Sequence, residues 1–227
     1  MLLHHREGLG RLRVVLASGS PRRAELLGGI GLDRAEVCPS RFAEDLGPGN
    51  FAGAAEYARE TARGKALEVA ARGATAGAAG AADLVIGGDT VVESPAGAVL
   101  EKPADAGDAT RMLLELSGAT HRVHTGVALV LPRVADPLTG RPPLVRAFAE
   151  TTEVEFAEIE EALVQAYVAT GDPMDKAGSY GIQGPAGSFV RGIRGCYFNV
   201  VGLPLHRVTR EIKSLLDEGL LDAPASQ

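Results

Sequence analysis

An α/β fold on a long mixed β-sheet with flanking helices is what this 227-residue sequence predicts, and three observations carry the prediction. Apolar, strand-like runs alternate with helical segments along most of the chain, the pattern of a sheet covered by helices. A tight turn, Pro95-Ala96-Gly97, and a proline-rich stretch, Pro132–Pro143, each lie between two strand-like runs and read as hairpins, so the sheet is not wholly parallel. A hydrophobic content of 45% with 23% charged residues is that of a globular protein able to bury a full core, as one large domain or two lobes sharing a sheet.

Each element has a local reason. Residues 1–11 read as a disordered lead-in, with an apolar stretch too short for a signal peptide. Leu12–Ala17 is an apolar run and a buried strand, followed by the small-residue turn Ser18-Gly19-Ser20. Ser20 as N-cap and Pro21 at the first helical position start a helix over Pro21–Gly29, stopped by Gly28-Gly29. Phe51–Arg72 is a long helix, with Ala54, Ala58, Ala62, Ala66 and Val69 at spacings of three and four. Ala71–Ala82 is an Ala/Gly-rich connection. Leu84–Gly87 is a short strand ending in Gly87-Gly88-Asp89-Thr90, and the hairpin after it returns through Leu100-Glu101-Lys102-Pro103.

Asp105–Leu116 is a helix capped by Asp105 and ended by Gly118. Val123, Thr125, Val127, Leu129 and Leu131 alternate over a strand whose return partner is Leu144–Phe156. Glu158–Thr170 is an amphipathic helix stopped by Gly171 and Pro173. Phe189–Gly202 reads as two short strands around Gly195, and Leu205–Leu216 as the closing helix. The whole reads as one domain over residues 12–217 with a tail at 218–227.

Bulk charge excludes several function classes. With 23 basic and 29 acidic residues the net charge is −6, which disfavours nucleic acid or an acidic membrane as a general partner. No apolar run approaches the roughly 18 residues a membrane span needs. Cys38 and Cys196 fit neither a zinc spacing nor a disulfide framework, so both read as reduced thiols in a cytoplasmic protein. His121 and His124, three apart on a strand, point to opposite faces and are not a metal pair.

The densest chemical signal is Ser18-Gly19-Ser20-Pro21-Arg22-Arg23. A helix N-terminus carries about +0.5 charge and prefers acids, so two arginines in its first turn imply an anion held between backbone N–H groups and guanidinium forks. Neither GxxxxGK[ST] nor GxGxxG occurs, so the loop is not a nucleotide-binding fingerprint of the common kinds. Asp89 follows a buried strand and two glycines, where open α/β sheets place ligands, and the glycines would let a substrate or metal come close to the backbone. Glu101 and Lys102 lie across the hairpin from it.

Glu44 and Asp45 form a second acidic pair after the first helix; Asp89, Glu101 and Glu44 could together hold one Mg²⁺, a cation of oxygen ligands. Lys65 sits on the flank of the long helix beside Ala66, where a snorkelling lysine is the default. The segment Asp175–Gly184 holds glycines at 178, 181 and 184, with a charge pair (Asp175, Lys176), Tyr180 and Gln183, and implies a loop packed closely against something. Gln183 both donates and accepts, as reading a pyrimidine edge requires.

In this order the segments LASGSPRRAELL, GGDTVV, LEKP, HRVHTGVAL, DKAGSYGIQG and VVGLPL strongly resemble the Maf family of nucleotide pyrophosphatases, over roughly residues 13–216. The resemblance implies two lobes around a cleft, in a fold similar to inosine triphosphate pyrophosphatases. It implies hydrolysis of a nucleoside triphosphate to the monophosphate and pyrophosphate with a divalent metal, Mg²⁺ first and Mn²⁺ or Co²⁺ as alternatives. By the family's pattern Asp89 is the catalytic acid-base residue; Ser18, Ser20, Arg22, Arg23, Lys65 and Lys102 bind phosphates; and Glu44, Asp89 and Glu101 hold the metal. Asp175 and Lys176 belong to the cleft. Thr90 and Gln183, with Arg22, match the branch acting on dTTP and UTP, whereas the branch acting on 7-methyl-GTP has Gln at the position of Thr90. A cytoplasmic homodimer is implied as well. A non-catalytic nucleotide- or septum-partner-binding module is the rival from another class; it would need the arginine turn but neither Asp89 nor a metal.

Overall fold

The computed structural model describes residues 2, 5–43, 46–74 and 81–221. Its centre is a seven-stranded mixed sheet in the order β2 (Glu36–Val37), β1 (Val14–Ala17), β3 (Leu84–Glu93), β5 (Thr120–Leu131), β6 (Leu144–Phe156) and β7 (Val190–Arg194), with β4 (Val99–Leu100) also paired to β3. The β2–β1–β3 pairs are parallel and all others antiparallel. The two hairpins read from Pro95–Gly97 and Pro132–Pro143 supply the antiparallel pairs β3–β4 and β5–β6.

One feature of β3 differs from expectation and creates the site. The strand does not stop at the glycines; it continues to Glu93, because β5 pairs with it from Val85 (opposite Val130) to Glu93 (opposite Arg122). Its other edge is shared between two short neighbours. β1 pairs only up to Gly87, opposite Ala17, and β4 only from Val92, opposite Leu100. Among the described residues no strand therefore lies beside 88–91 on that edge. Asp89 is a mid-strand residue, two positions beyond the end of β1.

One helix covers one face of the sheet. In α3 (Ala54–Ala74), Ala58, Ala62 and Ala66 are fully buried. This alanine stripe meets glycines: a Cβ at Gly126 would lie 2.1 Å from the Ala58 carbonyl oxygen, and one at Gly87 2.3 Å from that of Ala62. Helix and sheet thus approach to backbone contact, which only glycine permits there.

On the opposite face two hydrophobic clusters flank a gap. The first joins α2 (Pro21–Gly29) and α7 (Leu205–Asp217) to β1, β3 and β5 through Leu27, Leu16, Ile86, Leu129, Ile212 and Leu215. The second joins α4 (Ala106–Leu116) and α5 (Glu161–Ala169) to the far ends of β3, β5 and β6 through Val92, Leu113, Val123, Phe156 and Val164. The strands β3 and β5 run through both, so the two lobes share one sheet.

Besides β3, further elements depart from the sequence expectation. The lead-in is ordered where it is described: Arg6–Leu9 form α1, and Leu2 and Leu9 are 1% and 2% exposed in the first cluster, because their apolar side chains complete its floor. Phe189–Gly202 holds one strand, not two; after Gly195 the run Tyr197–Val201 coils into α6, which Gly202 at φ 127° ends. A short apolar run does not by itself separate strand from buried helix. The amphipathic segment before Gly171 begins at Glu161, three residues later than its pattern suggests. Asp105 caps α4 as expected, accepting a hydrogen bond from the Asp108 amide at 2.8 Å. The helix read to Arg72 runs to Ala74; residues 75–80 of the Ala/Gly-rich stretch and 222–227 of the tail lie outside the described residues. Both cysteines are free thiols. Among the described residues no helix is long and apolar enough to cross a membrane.

Candidate active site

The open edge of β3 floors a cleft of about 970 Å³ between the lobes. Its walls are the turn 18–20 with Arg22 and Arg23, the hairpin residues Glu101 and Lys102, and the segment 172–184. Because the floor is a strand edge, side chains from both faces of the sheet reach the cavity.

On the α3 face, Asp89 is 8% exposed and accepts a hydrogen bond from Lys65 Nζ to Oδ1 at 2.8 Å. Lys65 is no snorkelling surface residue; α3 is held so close by Gly87 that its flank reaches the carboxylate. Two turns earlier on the same helix, Tyr57 donates its hydroxyl to Glu101 Oε1 at 2.7 Å. Burial, then the Glu101 hydrogen bond and charge, hold the Tyr57 phenol protonated far above its ordinary range. One oxygen of Asp89 and one of Glu101 are thereby fixed by donors on α3.

The other face of β3 receives Arg23. Its guanidinium donates from Nε to Gly202 O at 2.8 Å, from Nη1 to Ser18 Oγ at 3.0 Å and from Nη2 to Thr90 Oγ1 at 2.9 Å. A Cβ at Gly88 would lie 2.9 Å from Nε, so the two glycines before Asp89 have different uses: Gly87 admits a helix and Gly88 admits Arg23. The expectation that both make room for a ligand is corrected by these contacts. Ser20 is the N-cap of α2 without a side-chain cap bond; its amide donates to Ser18 Oγ at 3.2 Å. The Thr90 hydroxyl accepts from Arg23 and pairs with Thr125 Oγ1 at 2.9 Å, so its bonding is directed into the protein rather than toward a base.

The third wall is a chain of 3₁₀ turns, Asp172–Asp175, Ala177–Ser179 and Pro185–Phe189. It packs closely, as its glycines imply: a Cβ at Gly178 would strike Val92 at 2.7 Å, and the Gly178 amide donates to Glu101 O at 3.1 Å. Lys176 is not aimed at a ligand. Its ammonium donates to Asp172 O at 2.5 Å, Asp172 Oδ1 at 3.0 Å and Asp175 Oδ1 at 2.7 Å, which uses all three protons and staples the loop. Burial works against the charged form of Asp172, but hydrogen bonds from Tyr167 (2.6 Å) and Lys176 and the charges of Lys176 and Arg22 outweigh it and hold its carboxyl low. Asp175 is held low in the same way by Lys176 and Arg22, against its own desolvation. Arg22 Nη2 stands 3.5 Å from Asp175 Oδ2, linking this wall to α2.

Lys102 and Gln183 line the cleft as exposed side chains. Glu44 and Asp45 lie outside the described residues. Among the described residues no three His, Cys, Asp or Glu side chains converge as a metal cluster. His121 and His124 do face opposite ways, His121 Nε2 to Tyr180 at 2.8 Å and His124 Nε2 to Glu93 at 2.8 Å. Four contributors escape a reading by motif: Tyr57, Thr125, Asp172 and Asn199. Thr125 and Asn199 are polar residues inside otherwise apolar runs, which is the signal that marks them.

The family model for Maf-like proteins matches residues 13–215. A human relative named "Probable bifunctional dTTP/UTP pyrophosphatase/methyltransferase protein" is 49% identical over 89% of this chain, which spans 32% of that protein's length. The Koribacter versatilis and Thermococcus gammatolerans proteins named dTTP/UTP pyrophosphatase are 44% and 48% identical, over 93% and 85% of this chain and 97% and 91% of their own. A solved structure of the Staphylococcus aureus Ham1 protein covers 64% of this chain and 72% of its own at 15% identity and a TM-score of 0.38, too distant to carry an argument. With nearly the whole sheet and every cleft wall described inside the matched span, the chain belongs to the family of Maf-like proteins.

Proposed function

We propose that this protein hydrolyses nucleoside triphosphates, dTTP and UTP foremost, to the nucleoside monophosphate and pyrophosphate. The single observation that carries the reading is a buried carboxylate, Asp89, held at 2.8 Å by Lys65 on the floor of a cleft whose opposite wall presents Arg22 and Arg23. The relatives' names supply the substrate class.

In this reading a water poised on Asp89 attacks the α-phosphorus, and its proton passes to the carboxylate as the P–O bond forms. The bond from that phosphorus to the bridging oxygen breaks, and pyrophosphate leaves with the electron pair. Arg22, Arg23, Lys65 and Lys102, with Ser18 and Ser20 in the turn, neutralise and orient the phosphates. Gln183 reads the pyrimidine edge with Arg22, and Thr90 serves by holding Arg23.

We assign to this cleft a divalent ion of oxygen preference. Lys65 takes one oxygen of Asp89 and Tyr57 one oxygen of Glu101, and the second oxygen of each carboxylate is the ligand we assign, with Glu44, to Mg²⁺ in preference to Mn²⁺ or Co²⁺. Bound there, the ion supplies charge neutralisation to the triphosphate. A homodimer in the cytoplasm completes the proposal, and sedimentation of the purified protein tests the assembly.

The test of the reaction is a panel of canonical and modified triphosphates, with and without Mg²⁺, resolving monophosphate, pyrophosphate and phosphate. Monophosphate with pyrophosphate, fastest from dTTP and UTP, is expected. Release of single phosphates overturns the assigned point of attack, and tight binding without turnover favours a nucleotide-binding module.

A further inference from the structure

We infer that Thr125 and Asn199, which lie behind the cleft, are positioning residues for Arg23. They act through a hydrogen-bond relay of fixed polarity; this inference rests on the phosphate-binding role proposed above for Arg23.

The polarity follows from the acceptors. Thr125 Oγ1 lies 2.8 Å from the backbone carbonyl of Asn199, which can only accept, so Thr125 donates there. Its single proton is then committed, and in the 2.9 Å contact with Thr90 it must be Thr90 that donates. The Thr90 oxygen is left with lone pairs only, and one of these receives Arg23 Nη2 at 2.9 Å. The order Arg23 to Thr90 to Thr125 to Asn199 therefore runs one way. Thr90 and Thr125 are directly opposite each other in the β3–β5 register, so the strand pairing itself sets their separation.

Asn199 is anchored in turn. Its Nδ2 donates to Val123 O at 2.9 Å and to Thr152 Oγ1 at 3.0 Å, and Thr152 also receives the Cys196 amide at 3.0 Å. Thr125 and Asn199 are both fully buried, and Thr152 is 1% exposed. Three residues beyond Asn199, Gly202 O accepts Arg23 Nε at 2.8 Å. The relay and the Gly202 contact close a ring through α6, which grips the guanidinium along two of its nitrogens while Ser18 holds a third. A guanidinium held this way is preorganised before a phosphate arrives.

With valine at position 125 the shape is kept but the acceptor for Thr90 is gone. The Thr90 proton is then free to turn toward Arg23, where it opposes the guanidinium. We expect Thr125→Val to lower kcat/KM about tenfold and to weaken product inhibition by pyrophosphate in parallel, while Thr125→Ser stays within about twofold of the parent. The deciding measurement is a double-mutant cycle: in an Arg23→Ala background Thr125→Val should cost nothing more. Should Thr125→Val fold poorly, Thr90→Val, at a partly buried position, runs the cycle on the adjoining link of the relay. Full additivity of the losses overturns the relay and leaves the role of Arg23 standing. An Arg23→Ala protein with undiminished kcat/KM and pyrophosphate inhibition overturns both.

Discussion

The two faces of β3 do different work within four consecutive residues. Toward α3 lie Gly87 and Asp89; toward α2 lie Gly88 and Thr90. On the first face the glycine brings a helix into backbone contact, and the residue two further on receives that helix's lysine. On the second the glycine accommodates a guanidinium, and the residue two further on hydrogen-bonds it. The strand's alternation separates the reacting carboxylate from the charge that holds the phosphates, and the unpaired edge at 88–91 lets both open into one cavity. A strand paired on both sides could not do this.

The sharpest way to break the comparison is Asp89→Asn, which removes the proton acceptor without changing shape. We expect kcat to fall about 10²- to 10⁴-fold, while calorimetry finds nucleotide affinity changed only a few-fold. A variant with near-full turnover would sink the role of Asp89.

The lobe beyond Thr125 on the same face carries a buried histidine, His121, and should respond to acid. Burial pushes His121 down to about 4 from an ordinary 6.5. Its folded-state value is depressed, so between those limits the unfolded chain takes up a proton that the native protein does not. Stability attributable to His121 is complete above about pH 6.5 and is lost as the pH falls toward 4, by up to about 3 kcal/mol. Urea melts at pH 7 and pH 5 on the parent and on His121→Phe should show a flatter acid limb in the variant; equal slopes refute the assignment.

Adding one methyl to each adjacent glycine sharpens the contrast further. Gly87→Ala meets the Ala62 carbonyl at 2.3 Å, an unyielding backbone atom, and should cost about 1–3 kcal/mol of stability in thermal melts. Gly88→Ala meets a side chain, Arg23 at 2.9 Å, and should weaken substrate binding with a smaller change in Tm. If the two variants behave alike, the faces are not distinct in this way.

The smallest effect is expected at the cleft's outer wall. Gln183→Ala should reduce preference for dTTP over purine triphosphates by about 5- to 10-fold, near 1 kcal/mol, with kcat nearly unchanged. An unaltered preference removes Gln183 from base recognition.

Much of this was legible in local sequence. The strand–turn–helix at 12–29, the hairpins, the capped α4 and the Gly-rich wall at 178–187 follow from residues close together in the chain. Arg22, Arg23, Asp89, Lys102 and Gln183 do line one cavity. What local sequence does not carry is pairing at a distance. Whether β3 stops at Gly87 depends on β5, some forty residues later. That Lys176 faces inward to Asp172 rather than outward to phosphate depends on a carboxylate that no motif marks, between the Gly171 and Pro173 of the helix stop. Tyr57 looks like one more apolar residue on α3 until Glu101 is seen against it. The burial of Leu2 and Leu9 depends on a core that the other end of the chain completes.

The notch in which α3 lies has an evolutionary consequence. Since Lys65 rides on the helix and Asp89 on the sheet, the gap between the two layers is itself a variable of the active site. Ala58, Ala62, Gly87 and Gly126 have no part in the proposed binding of substrate, yet any enlargement among them would carry the lysine away from its carboxylate. A displacement near 1 Å is enough to cost about a hundredfold in rate. Selection on turnover would therefore reach into the hydrophobic interior, and these four positions should tolerate change no better than the residues that meet the nucleotide.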